Sequence, residues 1–425
     1  MDFYAELEAR GLVHQATDPG LGAWLAGGSR TLYAGFDPTA DSLHVGHMMG
    51  LITLRRFQKA RHKPIAVVGG ATGMIGDPSG KNAERNLLDK AALEHNVACI
   101  AKQMERFLDF ESGAVLANNF DWTGGWTYLE FLRDIGKFFP VNVMLQKDSV
   151  KSRLGSDAGL SYTEFSYMLL QAYDFVHLAR EHGCQLQAGG SDQWGNITTG
   201  IDLARRMGVS SEKLPLFGFT WPLLTKSDGS KMGKTESGAI WLDAERTSPY
   251  QFFQYWVNVD DADVGGCLRT LTEVSLEEIA TLDASRTENA AARESQKRLA
   301  EELTRLVHGA EGLTSAQRAT EIFFGAEIDG LDDKTLGQIF ADVPTGELSR
   351  AQLDGAGLPV VDALVAAGLA KSKGEARRTV EQGGAYVNNR RVEGLDRTLT
   401  AANLASETVI VLRSGRKKYA LLRLV

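Results

Sequence analysis

One stretch of the sequence restricts the possible folds more than any other. The apolar run Thr31-Leu32-Tyr33-Ala34-Gly35-Phe36 passes through a turn-rich loop into an amphipathic helical pattern from about Gly46 to Ala60. A second apolar run, Pro64-Ile65-Ala66-Val67-Val68-Gly69-Gly70, follows. Strand, loop, helix and strand in that order form a βαβ unit, which implies a parallel sheet. A strand-like run at Gln185-Leu186-Gln187-Ala188, with a helix opening near Ser191-Asp192-Gln193, extends the pattern. The expected class is α/β. Ligands of such sheets bind past the carboxyl ends of the strands, which directs attention to the residues after Phe36 and after Ala188.

The rest of the chain divides by pattern. Residues 1–242 carry the parallel-sheet signal. Residues 243–325 are helix-rich, with Leu299, Leu303 and Leu306 at helical spacing among charges. Residues 326–357 gather Asp and Gly with few large apolar side chains and read as a linker. Residues 358–425 hold two helical stretches and then short strands with turn signals at Asn388-Asn389 and Ser414-Gly415, a small α+β unit. Charge follows the same division. From Gly357 onward there are 12 Lys and Arg against 6 Asp and Glu, which leaves −14 on the remainder of a chain whose net charge is −8. A basic tail on an acidic body points to one module meeting a polyanion. Cys99, Cys184 and Cys267 are far apart and form no CxxC pair, which speaks for a reducing compartment and against a disulfide frame or zinc site. No apolar run reaches the roughly 18 residues of a membrane span, and the acidic start Met1-Asp2-Phe3-Tyr4 lacks a secretory pattern. A cytoplasmic location is expected.

Two short motifs carry chemistry. His44-Val45-Gly46-His47 places two imidazoles three residues apart at a helix start, on one face. Free N–H groups and a partial positive charge are found there, and Gly46 lets a flat ring approach the backbone. The arrangement suits a nucleotide with its phosphates beside the histidines, although such a pair also serves simply to cap a helix. Lys231-Met232-Gly233-Lys234-Thr235 lies in a glycine-bounded loop, continuing through Glu236 and Ser237. Two lysines on a loop that moves can neutralise a departing pyrophosphate; a solvated charge run is the plainer reading. A third set, Tyr167, Gln171 and Asp174, is spaced by four and three and shares one helical face. A polar face of this kind needs partners if it is buried, and a phenol with an ammonium group would supply them.

In this order and about 185 residues apart, the two motifs resemble the HIGH and KMSKS sequences of the class I aminoacyl-tRNA synthetases. Longer strings resemble the tyrosyl-tRNA synthetases of bacterial type. They are Tyr33 to Thr39, Val68 to Gly73, Gly76 to Ser79, Thr163 to Tyr167, Leu170 to Asp174 and Gly189 to Asn196. The resemblance implies a Rossmann-like catalytic domain over 1–242, an α-helical anticodon-binding domain over 243–325, a linker over 326–357 and an S4-like RNA-binding domain over 358–425. It implies that Tyr33 and Asp174 meet the phenol of L-tyrosine, that Asp77, Tyr167 and Gln171 hold its ammonium group, and that Gln187 lines the same pocket. Gly35, Asp37, Gly46, Gly190, Asp192 and Gln193 fall to the ATP and adenylate side, with Lys231 and Lys234. Thr39, His44, His47, Lys231 and Lys234 are the expected catalytic donors. Lys371, Lys373, Arg377, Arg378, Arg390 and Arg391, in a helix and hairpin similar to the S4 module, are expected on RNA. Mg2+ would travel on the phosphates of ATP, with no dedicated protein metal site. The partners implied are tRNA(Tyr), tyrosine, ATP and a second copy of the chain, with Phe131 to Pro140 as the interface segment.

Three departures from the family pattern stand out. Ala34 replaces a frequent cysteine, Gly50 sits inside the HVGH helix, and Met232 and Gly233 vary the lysine motif. Three other readings stay open at this point: a tryptophanyl-tRNA synthetase, a small nucleotidylyltransferase sharing HxGH, and a non-catalytic RNA-binding protein on a synthetase scaffold. The Tyr33/Asp174 couple speaks against the first, the basic tail against the second and the intact motifs against the third.

Overall fold

The computed structural model describes residues 2–79, 88–155, 159–211, 214–235, 238–328, 330–341, 343–416 and 418–425. Glu236 and Ser237 of the lysine loop and Lys417 of the basic tail lie outside them. The described chain divides into two compact units. One comprises residues 1–247 and 256–307, the other 248–255 and 308–425.

The first unit is built on six strands: β1 (Gln15–Ala16), β2 (Thr31–Phe36), β3 (Lys63–Val68), β4 (Val115–Asn118), β5 (Leu186–Gly190) and β6 (Phe217–Trp221). Their order is β1-β6-β5-β2-β3-β4. All neighbours are parallel except β1 against β6. β3 and β6 are buried along nearly their whole length, as expected of parallel strands covered on both faces. The chain runs outward from β2 in one direction through β3 and β4, and β5 with β6 fills the other side. The topological switch therefore falls between β2 and β5, where a ligand crevice opens in sheets of this kind.

The βαβ unit forms as its sequence requires, with the helix over Val45–Lys59. Gly50 has a packing reason. A Cβ there would stand 3.0 Å from Cζ2 of Trp221 on β6 and 3.2 Å from Cε1 of Phe36 on β2. The helix gives up about 1 kcal/mol of propensity and lies that much closer to the sheet. The helix Tyr162–His182 is capped by Ser161, whose side chain accepts from Glu164 N, and it ends at Gly183 with φ 58°. In its first turn Glu164 meets Arg153 in a bidentate pair, Nη1–Oε1 3.0 Å and Nη2–Oε2 2.7 Å, with both side chains almost wholly buried.

The boundary expected near residue 243 falls elsewhere in the contact pattern. The helices Asp261–Leu271 and Leu276–Glu288 pack with the sheet unit. Guanidinium groups make the connection. Arg56 donates to the carbonyl oxygens of Arg269, Thr270 and Thr272, and Arg10 to those of Arg269, Thr272 and Val274. Two cations thus satisfy the orphan carbonyls at one helix C-terminus, where positive charge is also favoured by the dipole.

In the second unit a five-stranded sheet runs in the order Arg390–Arg391, Ala385–Val387, Val409–Ser414, Lys418–Leu424, Thr345–Leu348. The helices Val360–Ala366 and Lys373–Glu381 contribute buried side chains to the same core. The hairpin turn at Asn388 and Asn389 has φ of 49° and 64°, positive values at both central positions as a tight hairpin prefers. Residues 326–357, expected as a linker, contribute structure of their own. Asp333–Ile339 is helical, and Thr345–Leu348 pairs in parallel with Leu421–Leu424. Leu336, Ile339 and Phe340 are buried with Val409, Val411, Tyr419 and Leu421. The few large apolar residues of this stretch are committed to two cores, Leu336, Ile339 and Phe340 to one and Leu348 and Leu353 to the other, which its Asp and Gly content conceals. Among the described residues no helix is long and apolar enough to cross a membrane.

Candidate active site

Two loops leave the sheet at the switch point. After β2 the chain passes Asp37, Thr39 and His44, and β5 ends at Gly190 before the chain passes Asp192 and Gln193. Behind them the helix Tyr162–His182 presents Tyr167, Gln171 and Asp174, joined by Thr72 and Asp77 from the turn after β3.

These residues form a connected polar network. Tyr167 donates its hydroxyl to Asp37 Oδ2 at 3.0 Å, and Thr72 donates to Asp37 Oδ1 at 2.8 Å. Gln193 Nε2 donates to Asp77 Oδ2 at 2.7 Å, while Gln193 Oε1 accepts from Gln171 Nε2 and Asn196 Nδ2, each at 3.2 Å. Backbone approach is close here. A Cβ on Gly69 would lie 2.2 Å from Asp37 Oδ1 and 2.4 Å from Thr72 Oγ1, so only glycine leaves room for that carboxylate.

Deeper in, Asp174 accepts from Asn119 Nδ2 at 3.0 Å and from Trp122 Nε1 at 2.8 Å. Asn119 also donates to Thr72 and accepts from the Ala71 N–H, and the Trp122 ring stacks on His177 with centroids 4.5 Å apart. Burial pushes the Asp174 carboxyl up to about 7 against the pull of these two donors. Tyr33 is 1% exposed, and burial, then the Asp174 charge, holds its phenol well above the ordinary range. Tyr33 OH, Gln187 Oε1 and Gln171 Oε1 are buried without a hydrogen-bond partner. Unpaired buried oxygens are costly for a protein, and a phenolic ligand meeting Tyr33 OH would relieve part of that cost. Thr72, Asn119 and Trp122 were not legible as site residues in the sequence. Their only signal was position: Asn119 and Trp122 follow β4, a four-residue strand without an alternating apolar pattern.

At the other end of the crevice His44 is the N-cap of the helix Val45–Lys59. Its Nδ1 accepts from Gly46 N at 3.0 Å, and His47 Nδ1 accepts from His44 N at 3.1 Å, a reciprocal cap. The capping reading of the pair thus holds, and it fixes the chemistry. An Nδ1 that accepts leaves the proton of a neutral ring on Nε2, where it can be donated. Burial, then Lys234, lowers the His44 pKa, so the ring stays neutral at pH 7. Lys231 and Lys234 are exposed, as are Thr39 and Asp192. Gly233 has φ 81°, and a Cβ there would stand 2.8 Å from Val45 Cβ. This glycine, a departure from the family motif, lets the lysine loop rest on the start of the histidine helix. The six tail residues expected on RNA are all exposed; Lys373 pairs with Asp362 at 2.8 Å and Arg390 with Glu327 at 3.1 Å.

Known proteins resemble the chain along nearly its whole length. The family described as tRNA synthetases class I (W and Y) matches residues 26–325, and the tyrosine--tRNA ligase SYY-like C-terminal domain matches residues 335–422. A tyrosine--tRNA ligase of Rhodopirellula baltica is 58% identical over 422 residues, 99% of this chain and 95% of its own. One from Roseiflexus castenholzii is 51% identical over 99% of both chains. Among solved structures, a C-terminally truncated mitochondrial tyrosyl-tRNA synthetase of Aspergillus nidulans superimposes with a TM-score of 0.68 at 30% identity, covering 76% of this chain and 94% of its own. Two family models in sequence and full-length relatives at this identity make the chain a member of the class I tRNA synthetases, in the branch of the tyrosine–tRNA ligases.

Proposed function

We propose that the chain activates L-tyrosine with ATP, releasing pyrophosphate, and passes the tyrosyl group to the 3′ end of tRNA(Tyr). The observation that carries this reading is the buried, unpartnered Tyr33 OH close to the Asp174 carboxyl, with Gln171 Oε1 and Gln187 Oε1 also buried and unpartnered. A tyrosine phenol donates to Asp174 and accepts from Tyr33 OH; its ammonium lies among Asp77, Tyr167 and Gln171. Phenylalanine would leave the same groups unpaired.

The tyrosine carboxylate attacks the α-phosphorus in line. It is ionised well above its pKa and needs no general base. Catalysis is then positioning and charge stabilisation. His44, as a neutral Nε2–H donor, acts with His47, Thr39, Lys231 and Lys234 on the phosphate oxygens. Gly35, Asp37, Gly46, Gly190, Asp192 and Gln193 line the nucleotide and adenylate. Mg2+ comes with the phosphates of ATP. Pyrophosphate exchange with each of the twenty amino acids tests the reading: stimulation by tyrosine alone is expected, and stimulation by tryptophan, or by none, sinks it.

The Asp174 pKa gives the pocket a pH dependence. The ionised carboxylate is the stronger acceptor for the phenol hydroxyl, and burial keeps the Asp174 carboxyl protonated below about 7. Tyrosine affinity is therefore expected to rise as pH approaches 7 from below, by at most about ten-fold per pH unit, and to level off above it. Equilibrium dialysis between pH 5.5 and 8 measures this, and a flat profile would count against it.

On the RNA side, Arg377 and Arg378 stand exposed on the helix Lys373–Glu381, with Lys371, Lys373, Arg390 and Arg391 nearby in the chain. The double variant Arg377→Glu/Arg378→Glu is expected to lower kcat/KM for tRNA charging by about ten-fold or more at low salt, with pyrophosphate exchange unchanged. Equal loss of both activities would contradict the assignment of this unit to RNA. Homodimer formation through the segment 131–140 and a cytoplasmic setting belong to the same reading. Leu129 at 75% exposure and Val141 at 59% flank that segment with apolar surface.

A further inference from the structure

The loop that carries Lys231 and Lys234 folds on itself. Lys226 N donates to Ser230 O at 2.8 Å, Met232 N to Leu224 O at 3.0 Å, and Thr225 bridges Lys231. None of these bonds fixes where the lysines point. Two contacts from one helix tether the loop that carries them. Asp263, in the first turn of Asp261–Leu271, accepts from Ser227 N at 2.7 Å. One turn on, Cys267 Sγ lies 3.4 Å from Met232 Sδ, both side chains buried. On its far side the loop is tied to the histidine helix: Ile240 N donates to Gly233 O at 2.8 Å, and Val45 N to Ile240 O at 3.0 Å. The same histidine helix, through Arg56 near its other end, holds the C-terminus of Asp261–Leu271. The two helices and the loop therefore close into a frame.

We propose that the helix Asp261–Leu271 is a strut that sets the lysine loop over the phosphate site, with Asp263 and Cys267 as positioning residues for Lys231 and Lys234. This deepens the reading above and rests on those lysines acting on ATP. Exposed lysines on an untethered loop lose conformational freedom when they close on a ligand. Tethering the loop before ATP arrives removes part of that loss and leaves the tyrosine pocket untouched. The anchoring carboxylate sits in the first turn of its helix, where a negative charge is favoured.

The test compares Asp263→Ala with Asp263→Asn in the full-length enzyme. Asp263→Ala is expected to slow adenylate formation about ten-fold and to raise KM for ATP, with tyrosine affinity unchanged. Asp263→Asn keeps a carbonyl oxygen able to accept from Ser227 N and is expected to recover most of the rate. Trypsin cleavage after Lys226, Lys231 or Lys234 should accelerate in the alanine variant and return toward the native rate in the asparagine variant. A native rate and native trypsin resistance in Asp263→Ala would overturn the strut, and so would an asparagine variant as slow as the alanine one. The two readings separate cleanly. If Lys234→Ala is slow and Asp263→Ala is not, the strut alone fails; if Lys234→Ala keeps the native rate, the phosphate role of the loop fails first.

Discussion

Lys234→Ala is expected to slow adenylate formation by about 10²–10³-fold, the loss typical of removing one preorganised group from a developing charge. Tyrosine affinity should stay within about two-fold, because on the proposed reading the lysine acts on the phosphates, and it takes no part in the Asp174 network. The argument is differential binding. Before ATP arrives the Lys234 side chain is exposed to water, and its charge is screened there. As pyrophosphate departs, negative charge grows on oxygens that the loop encloses, so the ammonium is worth more in the transition state than in the ground state. The loss should therefore fall on the forward rate constant rather than on substrate binding. Rapid-quench measurement of adenylate formation, with tyrosine affinity by equilibrium dialysis, checks both halves. An unchanged forward rate would remove the loop from the mechanism.

The second large effect is expected at the opposite end of the pocket. Asp174→Ala deletes the acceptor for the phenol and strips Asn119 Nδ2 and Trp122 Nε1 of their partner. Loss of a hydrogen bond to a charged group, about 1.5–3 kcal/mol, predicts a fall in tyrosine affinity of roughly 10–100-fold or more, with phenylalanine affected far less. The ratio of the two affinities is the decisive quantity. If tyrosine and phenylalanine weaken equally, Asp174 is not the group that recognises the hydroxyl.

Stability separates a lost contact from a lost fold. The folded Asp174 pKa lies near 7, above the ordinary 3.8. Between those values the native protein binds more protons than the unfolded chain, so this group makes stability fall as pH rises through that window and then stay level. The alanine variant lacks this term. Its stability relative to the parent should improve from pH 4 to pH 7 and change no further above that, as thermal melts at each pH would report.

The parts of this architecture set by local periodicity were readable in advance. The strand, helix and strand order from Thr31 to Gly70 dictated a parallel sheet. The three-residue spacing of His44 and His47 put both rings at one helix start, and the spacing of Tyr167, Gln171 and Asp174 put them on one helical face. Asn388-Asn389 announced its hairpin because few residue pairs accept two positive φ values. Regions whose apolar content is sparse read poorly. Leu336, Ile339 and Phe340 looked like scattered residues in a polar linker, yet they fill a core whose other half lies some seventy to eighty-five residues further along the chain.

What the sequence determined alone, then, was which side chains would share a helix face or follow a strand end, since backbone geometry repeats every two or 3.6 residues. It also carried the motifs by which the chain is recognised. Tertiary structure decided everything that depends on distant segments meeting. It brought Asn119 and Trp122 to Asp174, set Gly233 against Val45, drove Gly50 onto Trp221, and joined the helix Asp261–Leu271 to the sheet unit through Arg10 and Arg56. Hydrogen bonds and close packing act over a few ångströms in space and take no account of separation along the chain, so no local pattern records them.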